Sequence, residues 1–158
     1  NAHLVLKTQS NVPINFEIPN VQFINEQFNE NQMEQLHRQC DCYVSSSHSE
    51  GIGMGPVEAA LRDKPVIITD FGGTSEYVKT PYTVACKPVK MTEDYYLFKK
   101  GMIWGDPDED QLYEFMKDAL DKNLRFMDHT YTKELMSPKV IKSSVSNIIN
   151  DRHWGTTQ

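Results

Sequence analysis

Lys64-Pro65-Val66-Ile67-Ile68-Thr69-Asp70 is the stretch from which the fold can be read. Its centre, Val66-Ile67-Ile68, is continuous, apolar and β-branched. β-Branched side chains fit a pleated surface, and an unbroken apolar run has no wet face. The stretch therefore predicts a strand covered on both sides, as in parallel sheets whose crossover helices lie on each face.

The same pattern continues outward. Upstream, Cys42-Tyr43-Val44-Ser45 predicts a strand, and a helix follows through Val57, Ala60 and Leu61 to about Asp63. Further upstream, Leu4 to Thr8 and the Val21, Phe23, Ile24 run predict two more strands, joined by a loop over Asn11 to Asn20 that holds Pro13 and Pro19. Asn29 is expected to cap a helix whose apolar face is Met33, Leu36 and Cys40. Downstream, Phe71-Gly72-Gly73-Thr74 predicts a turn, with Thr74 or Ser75 capping a short helix through Val78. Thr83 to Cys86 is expected as the last strand. Trp104-Gly105-Asp106-Pro107-Asp108 reads as a helix start with an anchored aromatic, and Leu112, Phe115, Met116, Ala119 and Leu120 form the stripe of that helix. A final helix opens near Ser137-Pro138, where the missing proline N–H costs nothing. Its expected core face is Val140, Ile141, Val145, Ile148 and Ile149. Strands alternating with helices predict an α/β, Rossmann-like parallel sheet with helices on both faces. Ligands of such sheets sit beyond the carboxyl ends of the strands.

The 158 residues read as one domain, and 39% apolar with 24% charged residues reads as soluble and globular. A net charge of −6 argues against nucleic acid as a partner, because that affinity comes largely from Lys and Arg on phosphates. Cys40, Cys42 and Cys86 fit neither a disulfide framework nor a zinc site, so free, buried or half-buried thiols in a reducing compartment are expected. No run approaches the roughly 18 apolar residues of a membrane span, and no signal peptide is expected. Asn1-Ala2 run straight into the strand-like His3 to Lys7, which is expected of a cloning remnant on a chain cut from a longer protein.

The chemistry concentrates in Ser45-Ser46-Ser47-His48-Ser49-Glu50-Gly51-Ile52-Gly53-Met54-Gly55-Pro56-Val57-Glu58, between a strand and a helix. Its glycines permit positive φ and close approach of a ligand. The following helix start offers unpaired N–H groups and a positive dipole end, which suits a phosphate. Glu50 and Glu58 bracket that site. A carboxylate beside a phosphate makes sense if the ligand also presents hydroxyls, as a sugar nucleotide does at both ends of its diphosphate. No Gly-Lys-Ser/Thr Walker loop occurs, and Pro56 stands where a dinucleotide fingerprint needs its third Gly.

Glu50-Gly51-Ile52-Gly53 followed by Glu58-Ala59 resembles the Glu, seven residues, Glu motif of family 4 type retaining glycosyltransferases. Lys64 to Asp70 resembles that family's K-P-V-I-A-T-D strand, and Gly72-Gly73-Thr74-Ser75-Glu76 its G-G-x-x-E turn. The resemblance is good over about residues 20 to 80. It implies the C-terminal, donor-binding half of a two-domain GT-B enzyme. It also implies roles: Glu58 on the donor ribose, backbone N–H groups near Gly53 and Met54 on the distal phosphate or sugar, and Glu50 near the reacting sugar carbon as electrostatic support. Ser47, Gly51 and Gly73 join them as donor-site positions, and no metal is required. Expected partners are a nucleoside-diphosphate sugar and a glycan or lipid-linked acceptor bound by a further domain. The expected setting is the cytoplasm, with possible peripheral contact at a membrane's inner face.

Gly55 departs from the pattern, since the family usually has Pro three residues before Glu58 and here Pro56 follows instead. The family's basic diphosphate-binding unit is not found before Leu4, and Lys7 is a poor substitute. An inactive nucleotide- or partner-binding module, or a phosphorylase or epimerase of similar fold, remain alternatives. His48 reads as a polar loop residue with a general base as the alternative, and His3, His37, His129 and His153 get no role. Gly72-Gly73 reads equally as a tight turn or a cleft lining. The Tyr95, Tyr96, Phe98 cluster beside Lys99 and Lys100 is too short to assign to a membrane or partner surface.

Overall fold

The computed structural model describes residues 2–8, 17–95 and 98–150. Asn1, residues 11–16 of the expected loop, Tyr96 and His153 lie outside the described residues. The chain forms two compact units, Asn1–Cys40 and Asp41–Gln158.

The first unit holds strands β1 (Leu4–Thr8) and β2 (Val21–Asn25) and helix α1 (Glu30–Gln39). β1 and β2 pair in parallel, with Leu4 opposite Val21. Asn29 caps α1 as expected: its side chain accepts from the Gln32 N–H, and the Gln32 side chain accepts from the Asn29 N–H. Two donors orphaned by the helix start are thereby satisfied.

The second unit centres on β4 (Val66–Thr69), flanked in parallel by β3 (Tyr43–Val44) and β5 (Thr83–Val84). All four β4 residues are buried. Strand alternation sends Val66 and Ile68 to one face, where they pack with Val57, Ala59 and Ala60 of α2 (Met54–Ala60), and with Val78. Ile67 faces the other way, toward Val84, Tyr82, and Leu112, Phe115 and Ala119 of α4 (Glu109–Asp121). Each fully buried Val or Ile among these contributes about 1.5–3 kcal/mol by leaving water. The expected fold class, α/β with parallel strands and helices on both faces, is the one observed.

Four local expectations are corrected. Thr83–Cys86 is not one terminal strand: β5 stops at Val84, and Cys86 opens β6 (Cys86–Lys90), which pairs antiparallel with β7 (Ile103–Pro107). Trp104 to Pro107 is therefore strand, and the helix start is Asp108, whose carboxylate accepts from the Gln111 N–H. Neither Thr74 nor Ser75 caps α3 (Thr74–Tyr77); Gly73 holds that position and the Thr74 side chain turns inward. Finally, α6 (Pro138–Asn150) begins at its proline as expected, but its apolar stripe is exposed, from 38% at Val140 to 75% at Ile149.

One short helix escaped the sequence reading, α5 (Thr130–Leu135). It is held by buried polar groups. Thr132 Oγ1 donates to the Tyr77 carbonyl at 2.8 Å, and His129 Nε2 lies 2.9 Å from the Lys64 carbonyl at the entrance to β4. A carbonyl only accepts, so Nε2 carries the proton. Replacing His129 by Ala leaves that carbonyl unpaired and is expected to cost at least about 1–3 kcal/mol. Urea unfolding should show a lower midpoint with an unchanged slope.

Candidate functional site

β3 and β4 run in parallel with Tyr43 opposite Val66, so their carboxyl ends release two loops side by side. One is Ser45 to Gly53 and the other Asp70 to Gly73. The loops touch backbone to backbone: the Gly73 N–H donates to the Glu50 carbonyl at 2.9 Å. A Cβ on Gly73 would sit 1.7 Å from the Gly51 carbonyl oxygen, and one on Gly72 would sit 2.5 Å from that of Glu50. Gly72 also has φ of +84°, so both residues of the pair need glycine. Gly72-Gly73 is thus a close backbone approach as well as a turn.

The three glycines of the first loop act differently. Gly53 has φ of +71° and lies against Thr74, whose Oγ1 would be 2.3 Å from an added Cβ. Gly55 makes room for the Tyr43 hydroxyl, which would be 2.1 Å from a Cβ. Gly51 has nothing within 4 Å of where its Cβ would be, so that side of it is open, while its carbonyl faces Gly73. The departure at Gly55 from the resembled pattern has its physical reason in the Tyr43 phenol.

Gly53 occupies the N-cap of α2, and no side chain caps that helix. Pro56 has no N–H, so the first-turn donors are those of Met54 and Gly55. Glu58 is half-buried one turn further along α2, and Glu50 is exposed on the loop. A hydroxyl chain leads to Glu50: Ser45 Oγ donates to Ser47 Oγ, which donates to Glu50 Oε1, each at 3.2 Å. The structure thus brings Ser47, Glu50, Gly51, Gly53 and Gly73 onto two touching loops, with Met54 opening α2 and Glu58 behind on the same helix. Glu50 and Glu58 meet electrostatically at Tyr43, whose pKa is raised by burial first and then by these two carboxylates.

Sequence reading missed the β6–β7 hairpin as a support of this loop. The Gly105 N–H donates to the His48 carbonyl at 2.9 Å, and the His48 ring lies 4.5 Å from the Trp104 ring. His48 Nε2 is 3.6 Å from Asp106 Oδ1. Gly105 is buried and passes so close to Phe71 that a Cβ would meet it at 2.5 Å. His48 is therefore a loop residue tied to the hairpin. The signal was the Trp104-Gly105 pair, an aromatic beside a residue without a side chain.

Other groups stand apart. Burial pushes the Cys42 thiol up to about 11 and raises that of Cys86 as well, so neither is a thiolate nucleophile near neutral pH. Lys7 is engaged within the first unit by the carbonyls of Thr8 and Glu26. A separate depression of about 280 Å³ is lined by Asp106, Asp108, Glu109 and Asp110 with Lys87, a poor match for an anion. Among the described residues, no three His, Cys, Asp or Glu gather as a metal ion would need, and no helix is long and apolar enough to cross a membrane.

The glycine contacts make opposite forecasts for one substitution. Gly73→Ala is expected to lose about 1–3 kcal/mol through overpacking. Gly51→Ala, which meets open space, should stay within about 0.5 kcal/mol of the parent. Melting temperatures of the two variants check this.

Comparison with known proteins places the chain in a family. The chain is 31% identical over 96 residues to a Bacillus subtilis (strain 168) protein described as "Putative teichuronic acid biosynthesis glycosyltransferase TuaC". That alignment covers 58% of this chain and 25% of the relative, so the chain spans about a quarter of the relative's length. The family model for glycosyl transferases group 1 matches residues 14–96, which includes both loops and the whole of α2 and β4. This is more than half of the chain, and with its Rossmann-like α/β fold the chain belongs to the group 1 glycosyltransferases.

Proposed function

We propose that this chain is the donor-binding, C-terminal domain of a retaining glycosyltransferase of the family 4 type. Its donor would be a nucleoside-diphosphate sugar, and its acceptor a glycan or lipid-linked glycan held by a further domain. The observation that carries this reading is the pair of touching glycine loops, which presents Glu50 and the uncapped start of α2 together. The empty space beside Gly51 leaves room for a ligand, and the N–H groups of Met54 and Gly55 suit phosphate or sugar oxygens. Glu58 accepts the ribose hydroxyls, and Ser47, through its contact with Glu50, keeps that carboxylate oriented toward the transferred sugar.

In this reading the protein's own part is positioning and charge stabilisation. Glu50 supports positive charge developing at the sugar carbon, and the leaving diphosphate takes the acceptor proton while attack proceeds on the same face. Cations for the diphosphate come from outside the two loops, which carry neither Lys nor Arg. The relative's biosynthetic description supports transfer over phosphorolysis. The net charge of −6 supports a small-molecule donor in preference to nucleic acid. We also place the protein in the cytoplasm, at most peripherally on a membrane, and assign it no metal.

Calorimetric titration of the full-length protein with UDP- and GDP-sugars tests the reading. One donor should bind, and Glu58→Gln should weaken it about tenfold or more, since hydrogen bonds to a charged acceptor contribute about 1.5–3 kcal/mol. Glu50→Gln should instead lower kcat by about 10²–10³ with little change in KM. The 158 residues alone should bind without turnover. Absence of binding by every donor and by free UDP and GDP would sink the proposal.

A further inference from the structure

Tyr95 and Phe98, beside Lys99 and Lys100, have no part in the roles assigned so far. The structure joins to them residues from both strands of the hairpin. β6 and β7 pair antiparallel with Lys90 opposite Ile103, so the connection from Met91 to Met102 closes one end of the ribbon. That end is held by its own hydrogen bonds. The Met91 N–H donates to the Met102 carbonyl at 2.9 Å, and Tyr95 and Phe98 exchange two N–H to carbonyl bonds at 2.8 Å. Asp94 ties the lysines in: its carboxylate accepts from the Lys100 N–H at 2.8 Å and from Lys99 Nζ at 3.0 Å.

What this end presents is apolar and basic. Tyr95, Met102 and Ile103 are 66%, 48% and 59% exposed, a group of bare apolar side chains at one end of a ribbon and not a scatter over the surface. From Lys87 to Ile103 four lysines stand against Glu93 and Asp94, in a chain whose net charge is −6. Asp94 is occupied by Lys99, and among the described residues neither Lys90 nor Lys100 has a carboxylate partner. The other end of the hairpin has the opposite sign: Lys87 stands opposite Asp106 and lines a depression with Asp106, Asp108, Glu109 and Asp110. Three ladder steps separate Lys87 from Lys90. At the rise of a strand this is about 10 Å, comparable with the Debye length of about 8 Å at physiological salt. An anionic surface at the Lys90–Ile103 end is thus attracted by lysines in contact with it and only weakly repelled by the acids behind.

A stable protein interface takes about 20–30 residues a side, far more than a hairpin end offers. A lipid headgroup layer needs no matching shape. It accepts Tyr at the interface, aliphatic tips slightly deeper, and lysine stems that lift their ammonium groups to the phosphates. We propose that the Lys90–Ile103 end of the hairpin is a docking surface for an anionic lipid layer, with the acidic end turned away from it. This goes beyond the donor-site reading and stands without it. The same hairpin holds the donor loop through the Gly105 N–H and the His48 carbonyl, so docking carries that loop toward the lipid surface.

The test uses the full-length protein with vesicles of phosphatidylcholine alone and of an equal mixture with phosphatidylglycerol, read by flotation. The parent should bind the mixed vesicles and not the neutral ones, and added salt should weaken the binding. Lys90→Ala and Lys100→Ala should each lower the affinity about fivefold, which is the effect of about 1 kcal/mol per basic residue near such a surface. Ile103→Ser should lower it about tenfold, as expected when an aliphatic side chain no longer leaves water. All three replace exposed side chains and should leave the melting temperature and the nucleotide-sugar affinity as in the parent. No binding to the mixed vesicles overturns the inference. So does binding that the three variants retain in full, since the contact then lies elsewhere in the protein. Lysine variants that lose donor affinity and keep vesicle binding overturn it as well, because those lysines then serve the ligand's diphosphate. Donor titration is a separate measurement, so failure of the donor-site reading leaves this test intact.

Discussion

Two backbone turns meet with no side chain between them, and the site is assembled around that contact. Gly73 approaches the Glu50 and Gly51 carbonyls closely enough that any Cβ would exclude it. The approach is possible because β3 and β4 are neighbours in parallel and release their loops at the same edge. It is fixed because β4 is buried on both faces and cannot shift without moving Val66 and Ile68 off α2 and Ile67 off the opposite cluster. Core packing thereby sets the position of the Glu50 main chain.

The loop's carbonyls and its side chains do different work. Three carbonyls in a short span are taken by three parts of the fold: that of Ser47 by the Thr69 hydroxyl of β4, that of His48 by the Gly105 N–H of β7, and that of Glu50 by the Gly73 N–H. With its main chain anchored at these points, the loop can present Ser47 and Glu50 without being stiffened by regular structure. A backbone held in this way loses little entropy when a ligand arrives, which is what a site built on orientation needs. The hairpin adds a second anchor through the His48 and Trp104 rings.

What the sequence made legible was short-range. The β-branched run of β4, the Asn29 cap and Pro138 at a helix start each signal their structure within a few residues. The hairpin was illegible because its strands, Cys86 to Lys90 and Ile103 to Pro107, contain Pro, Gly and Asp, are largely exposed, and pair across a long connection. α5 has no apolar period and is held by Thr132 and His129 instead. In α6 the stripe was read correctly but its burial was not, since periodicity reports a face and not what covers it. At the site, the motif residues were legible, but the division of labour among Gly51, Gly53 and Gly55 was not. It depends on Thr74 and Tyr43, residues whose relevance appears only when the loops are side by side.

The same geometry accounts for a site that is acidic although its proposed ligand is an anion. Glu50 and Glu58 repel a phosphate, and each is favourable only where the ligand brings a hydroxyl. The uncapped α2 start has the opposite preference: its N–H groups suit oxygen acceptors and offer a hydroxyl hydrogen nothing. Glu50 precedes the helix cap at Gly53 by only a few residues, so the two kinds of group are near neighbours along the chain. A ligand that satisfies both must alternate hydroxyl-bearing and anionic segments over a short length. In the proposed reading a bare phosphate meets the helix start alone, whereas a sugar's hydroxyls can meet the carboxylates as donors and the N–H groups as acceptors. In that proposed reading, discrimination follows from the order of groups along the ligand more than from net charge.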